Sequence, residues 1–158
     1  MQDNTLIVVG VDGSDGGRRA LRWAVEEAIR GGGTVEAVTA WQWDGYEGAL
    51  MAATNPAAER ARAEKLLANE VAAVTAELGS PVPIAQEVVE GRPGKVLAAA
   101  ATRAHLLVVG SHGHGRLRHA LVGSVAEECI RDATCPVTVV PVPHPVTERP
   151  IATATPAS

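Results

Sequence analysis

Val108-Val109-Gly110-Ser111-His112-Gly113-His114-Gly115 runs on through Arg116-Leu117-Arg118-His119-Ala120-Leu121-Val122 to Gly123-Ser124-Val125, and the reading of the whole chain turns on this stretch. An apolar run ends in glycines, and a helical pattern opens after Gly123. A strand that feeds a glycine-rich loop and then a helix N-terminus forms an anion site, because main-chain N–H groups and the helix dipole aim at one spot. Glycine in such a loop allows close approach of phosphate oxygens and permits positive φ. Arg116, Arg118, His112, His114 and His119 add hydrogen-bonding or positive groups. Phosphate is the ligand class implied.

Working outward, the same arrangement occurs near the start, where Val9-Gly10-Val11-Asp12-Gly13-Ser14 sets a carboxylate just past a strand and offers Ser14 as a helix N-cap. Apolar runs at 6–11, 34–41, 82–89, 105–110 and 136–142 alternate with helical patterns. Continuous apolar strands separated by helices predict an α/β fold, a single open five-stranded parallel sheet with helices on both faces. In the first helix Leu21, Ala24, Val25, Ala28 and Ile29 recur at helical spacing, with Arg22–Glu26 and Glu26–Arg30 pairing on the wet side. The second has Asn55 as N-cap, Pro56 at N1, a stripe of Leu67, Val71, Val74 and Leu78, and a stop at Gly79. A third follows Pro93 and runs to Arg103, and a fourth opens at Ser124, where Ser124-Val125-Ala126-Glu127 reads as a capping box.

At 158 residues, 46% hydrophobic and 20% charged, the chain has the composition of one globular domain, expected over 1–142. Phe is absent, so the core must come from Val, Leu, Ile and Ala. A net charge of −4 offers no surface for nucleic acid, which needs clustered Lys and Arg. No stretch is long and apolar enough for export or for spanning a membrane, which leads to a cytoplasmic expectation. Cys129 and Cys135 lack zinc-ligand spacing and His112 and His114 lack a third partner, so no metal site is expected. Trp23, Trp41 and Trp43 read as packing residues. Residues 42–54, without a clear period, form a candidate covering loop, and 143–158, rich in Pro, Thr and Ala, a flexible tail.

Phosphate motifs of other folds do not fit. Gly91-Arg92-Pro93-Gly94-Lys95 is followed by Val96 where a P-loop needs Ser or Thr, and Gly10-Val11-Asp12-Gly13 is not the dinucleotide fingerprint. Gly110-x2-Gly113-x9-Gly123-Ser124, however, resembles the nucleotide signature of the ATP-binding branch of universal stress proteins. The opening strand Val8 to Ser14, the Gly91-x-Pro93 turn and Cys135-Pro136-Val137 are similar to that family as well.

That resemblance implies the strand order 3-2-1-4-5 and ATP as the bound cofactor, with magnesium as a candidate companion. Asp12 would approach the ribose or phosphates, Gly10 and Val11 would line the same side, and Ala40 would lie by the adenine. Gly110 and Gly113 would bend around the nucleotide, and Gly123, Ser124 and Val125 would contact phosphate. Val109, Ser111, His114, Gly115 and Arg116 complete the candidate set. His112 and His114 stand where many relatives carry arginine or other residues, and His105 where the family often has Asp, which would weaken the anionic end at alkaline pH.

The function expected is a stress-response signalling module whose adenine-nucleotide occupancy alters conformation and partner binding. The last strand, 136–142, as an exposed apolar edge, would join two copies into a homodimer. A slow ATPase or nucleotidyl-transfer enzyme is the alternative, although no nucleophile–base–orienter triplet stands out and no catalytic residue is assigned. A cyclic AMP-binding or nucleotide-free interaction module is the other. The sequence names no protein partner.

Overall fold

The computed structural model describes residues 4–45, 55–79, 81–114 and 121–143. Its elements are β1 (Leu6–Gly10), α1 (Asp15–Gly31), β2 (Thr34–Trp41), α2 (Pro56–Leu78), β3 (Ile84–Glu90), α3 (Pro93–Ala100) with a 3-10 turn at Ala101–Arg103, β4 (Leu106–Gly110), α4 (Ser124–Asp132) and β5 (Val137–Val140). The strands form one parallel sheet in the order β3-β2-β1-β4-β5, as expected.

Alternation along β1 divides the core. Ile7 and Val9 face α1 and α2, with Leu21, Val25, Leu67 and Val74 among the buried residues of that side. Val8 faces the other layer, packed with Val38, Leu97, Leu107, Val109 and Cys129. The core is aliphatic, and burial pushes the Cys129 thiol up to about 11, making it a small hydrophobe rather than a reactive group. Val8, Val9, Leu21 and Leu107 are fully enclosed, so one strand supplies both hydrophobic layers.

Local chemistry sets the element ends. Ser14 caps α1 by accepting from the Gly17 N–H (3.1 Å), and Asn55 caps α2 by accepting from Ala58 (2.8 Å). Gly32 and Gly79 close these helices with φ of 73° and 58°, left-handed values that favour glycine. Prolines shorten two strands relative to expectation. β3 starts after Pro83, and β5 lies between Pro136 and Pro141, which have no N–H for the ladder.

Three local expectations are corrected. Arg30 pairs with Glu27 (2.6 Å) rather than Glu26, which Arg22 holds at 3.4 Å. The third helix tightens into the 3-10 turn over its last residues. The fourth helix has no capping box at Ser124. Gly123 is the N-cap, and its N–H donates to the Ser111 carbonyl at 2.5 Å, so Ser124 is the first helical residue and the cap stands one position before the one the sequence signature suggests. Within the candidate covering loop only 42–45 are described, and residues 46–54 and 144–158 lie outside the described residues.

Two buried carboxylates tie neighbouring elements together. Glu70 of α2 receives both Nε and Nη2 of Arg18 on α1, at 2.9 and 2.6 Å. Glu36 of β2, 8% exposed, receives a two-pronged contact from Arg103 at the end of the 3-10 turn, one bond measuring 2.6 Å. The Arg103 bond holds the Glu36 carboxyl below its usual range, against the opposing effect of burial. A carboxylate whose folded pKa is depressed adds stability above its unfolded value of about 4.3, and that gain is lost as pH falls through the folded pKa. Arg103→Ala should cost roughly 2 kcal/mol in urea unfolding at pH 7. The gap between the parent and Glu36→Gln should shrink below about pH 4.

Candidate functional site

The carboxyl ends of β1 and β4 lie side by side at the point where strand order reverses, and a cleft of about 100 Å³ opens there. Its walls are Gly10, Val11, Asp12 and Gly17 from the β1–α1 turn, Val38 and Ala40 from β2, Pro93 and Leu97 from α3, and Val109, Gly110, His112, Gly113 and Val125 from β4 through α4. The N-terminal turns of α1, α3 and α4 all border it, each contributing one end of a helix dipole. The walls are largely apolar, with Asp12 as the single carboxylate and His112 as the single imidazole among the lining residues.

Asp12 is held in place by its own turn. Its Oδ1 accepts from the Ser14 N–H (3.0 Å) and hydroxyl (2.5 Å), while the Ser14 oxygen accepts from Gly17. Gly13 makes the bend with φ of 80°. From the facing loop, the Nε2–H of His114 donates to the Asp12 carbonyl at 2.6 Å, joining the two strand ends across the cleft.

Close backbone approach, rather than left-handed geometry, explains the glycines of the second loop. Neither Gly110, Gly113 nor Gly123 has positive φ, contrary to expectation. A Cβ on Gly110 would meet the backbone of Gly16 at 2.8 Å, and one on Gly113 would meet Oδ2 of Asp12 at 2.7 Å. Gly16 in turn lies against the His112 carbonyl, leaving no room for a side chain.

On the β2 side, Val11 donates its N–H to the Val38 carbonyl at 2.9 Å and accepts the Thr39 hydroxyl at 2.8 Å. Main-chain groups along a strand alternate in direction, so the N–H and C=O of Ala40 point the same way as those of Val38. β1 has already turned away at that level. The peptide edge of Ala40 therefore faces the cleft.

Of the candidate residues, Gly10, Val11, Asp12, Ala40, Val109, Gly110, Gly113 and Val125 line the cleft. Ser111, 5% exposed, does not; its N–H donates to Val140 and its carbonyl accepts from Gly123, fastening β5 and α4 to the end of β4. His114, Gly123 and Ser124 stand outside the lining, and Gly115, Arg116, Arg118 and His119 lie outside the described residues. Gly17, Val38, Pro93 and Leu97 line it without having been singled out as ligand contacts, and His112, read from the sequence as a group beside the phosphates, lines it too. Pro93 and Leu97 carry an ordinary helix-start and core signal, so only the crossover of α3 over the sheet reveals them. His105 accepts the Leu6 N–H at its Nδ1 (3.0 Å), a structural bond at the opposite end of the sheet. No group of three or more metal-ligating side chains occurs among the described residues.

A family model, described as the Universal stress protein family, matches residues 4–141. The chain belongs to that family. Universal stress protein Rv2005c of Mycobacterium tuberculosis is 35% identical over 133 residues, covering 84% of this chain and 44% of the relative. This universal stress protein thus spans less than half the length of the curated relatives it matches. Among solved structures, a universal stress protein of Archaeoglobus fulgidus in complex with dAMP is 25% identical, with a TM-score of 0.64 over 89% of this chain and 99% of that one. Another universal stress protein, in complex with cAMP, is 24% identical with a TM-score of 0.67, covering 86% of this chain and 96% of that one.

The packing separates the two glycines that face the turn of α1. Gly110→Ala should lower the melting temperature, with a loss of about 1–3 kcal/mol, because backbone must move to admit the methyl group. Gly113→Ala meets only the movable end of the Asp12 side chain and should cost under about 1 kcal/mol. Thermal unfolding of both variants checks the order.

Proposed function

We propose that this universal stress protein binds an adenine nucleotide, with ATP as the physiological ligand, and acts as a signalling module rather than as an enzyme. The observation that carries the reading is the meeting of the N-terminal turns of α1, α3 and α4 on one apolar cleft. Anions are stabilised at such ends, and an aromatic base fits between Val38, Leu97 and Pro93. The peptide edge of Ala40 offers a donor beside an acceptor, the complement of the N1 and N6 edge of adenine. The dAMP and cAMP held by structural relatives are in keeping with that choice.

In this reading the cavity takes the base, and the ribose and phosphates run outward past Asp12 toward Gly113 and the start of α4. Asp12 suits hydrogen bonding to ribose hydroxyls or to the waters of a phosphate-bound magnesium ion. Its carboxylate is held by Ser14 instead of being paired with a base, which favours binding over catalysis. The cleft and its loops form one domain over 1–142, with the remainder as a tail. Nucleotide occupancy would change the surface offered to partners in the stress response, in the cytoplasm.

Heat-denaturing the purified protein and chromatographing the supernatant should release an adenine nucleotide. Titration calorimetry should then show ATP binding in the parent and at least about a tenfold loss in Gly123→Val, whose branched side chain would enter the space between Ser111 and His112, with far-UV circular dichroism retained. Unchanged affinity in that variant would remove the α4 N-terminus from the site.

We also propose a homodimer through 136–142. β5 is an edge strand, and its Val137 and Val139 on one face and Val140 on the other pack only partly. Such an edge lowers its free energy by pairing, here with the equivalent strand of a second copy. Light scattering should give twice the monomer mass at micromolar concentration, and a monomer under those conditions would rule it out.

A further inference from the structure

The cleft has helix dipoles but no full positive charge among its described lining residues, while the tail of a nucleoside triphosphate brings several negative ones. Arg92 immediately precedes Pro93, which lines the cleft, and its side chain is 66% exposed. The guanidinium reaches across to α4, where Nη2 lies 3.5 Å from Oε2 of Glu128. Glu128 follows the cleft-lining Val125 by three residues, a rise of roughly 4.5 Å, so the guanidinium meets α4 about one helical turn along from the cleft wall.

The arrangement around Glu128 leaves Arg92 free to move. Glu128 is nearly buried, with 11% of its side chain exposed, and needs a positive neighbour. Lys95 supplies a second one at 3.7 Å while donating to Asp132 at 3.0 Å. Gly94 lies so close to the Glu128 carboxylate that a Cβ there would overlap it, and the buried cluster of Val96, Leu97, Ala126 and Cys129 holds α3 and α4 together without Arg92. The Arg92 bond itself is at the outer limit of hydrogen-bonding distance and half in solvent, where ion pairs contribute little. A phosphate oxygen offers the same guanidinium a shorter, charge-assisted, bidentate contact.

We propose that Arg92 is the residue that reads the polyphosphate tail, exchanging Glu128 for the terminal phosphates and so making the cleft prefer nucleoside di- and triphosphates to monophosphates and cyclic monophosphates. The inference rests on the nucleotide reading above and deepens it. Glu128 acts as the competitor that holds Arg92 when the tail is absent, and Lys95 keeps Glu128 neutralised when the tail is present.

The test is calorimetric titration of ATP and AMP, with magnesium, into the parent, Arg92→Gln, Arg92→Lys and Glu128→Gln at one fixed ionic strength. Arg92→Gln should weaken ATP about tenfold and leave AMP unchanged, with Arg92→Lys between it and the parent. Glu128→Gln should tighten ATP several-fold, because it removes the competing carboxylate and frees two cations. Opposite signs for the two variants support the exchange. Weakening in both variants, to the same extent for ATP and AMP, or no effect in either, would overturn it and leave the Arg92–Glu128 contact as a helix tie. A parent protein that binds neither nucleotide would overturn the nucleotide reading and this inference together.

Discussion

The structure depends on one close contact, in which the first turn of α1 lies directly on the end of β4. Gly110 meets the backbone of Gly16, Gly16 meets the His112 carbonyl, and no side chain separates them. Helix and strand approach this closely only where both surfaces lack a Cβ. The contact brings the β1–α1 turn level with the β4–α4 loop, so Asp12 and Gly113 face each other across a narrow gap. His114 and Ser14 then fix the two sides of that gap with hydrogen bonds to Asp12. Had either glycine carried a side chain, the loops would stand apart and the cleft would be an open notch.

The two layers of helices have different tasks. On the α1–α2 side, burial of Leu21, Val25, Leu67 and Val74 and the Arg18–Glu70 contact make a close-packed support. On the other side, α3 and α4 bring apolar side chains and helix ends to the cleft; they share a buried aliphatic cluster that includes Val96, Leu97, Ala126 and Cys129, and at its exposed rim they are joined by ion pairs around Glu128 and Asp132. Ionic contacts at a half-exposed surface exchange partners at small cost, whereas buried aliphatic packing does not.

Much of the fold was legible because its signals are local. The apolar runs, Ser14 and Asn55 as caps, and Gly79 as a stop act within a few residues of chain and needed no tertiary information. The glycine spacing from Gly110 to Gly123 was equally plain, and with it the place of the site at the ends of the first and fourth strands. The start of α4 at Ser124 was legible, but its cap was not, because Gly123 is held by the Ser111 carbonyl, twelve residues earlier, and takes the N-cap position in place of Ser124. Arg30 likewise pairs with Glu27, since Glu26 is held by Arg22, which also reaches Glu77 on α2.

The sequence by itself therefore determined the alternation of strands and helices, the aliphatic two-sided core and the candidate phosphate loop, since each follows from periodicity and residue chemistry along neighbouring positions. Only the tertiary structure decided why the glycines are glycine, which is close backbone approach and not positive φ. It also decided that Ser111 is a buried fastening and that Pro93, Leu97 and Val38 line the cleft. The physical reason is the same in each case. These roles depend on which surfaces are brought together by the crossovers of a parallel sheet, and residues more than eighty positions apart in the chain, such as Asp12 and Gly113, become neighbours only when it closes.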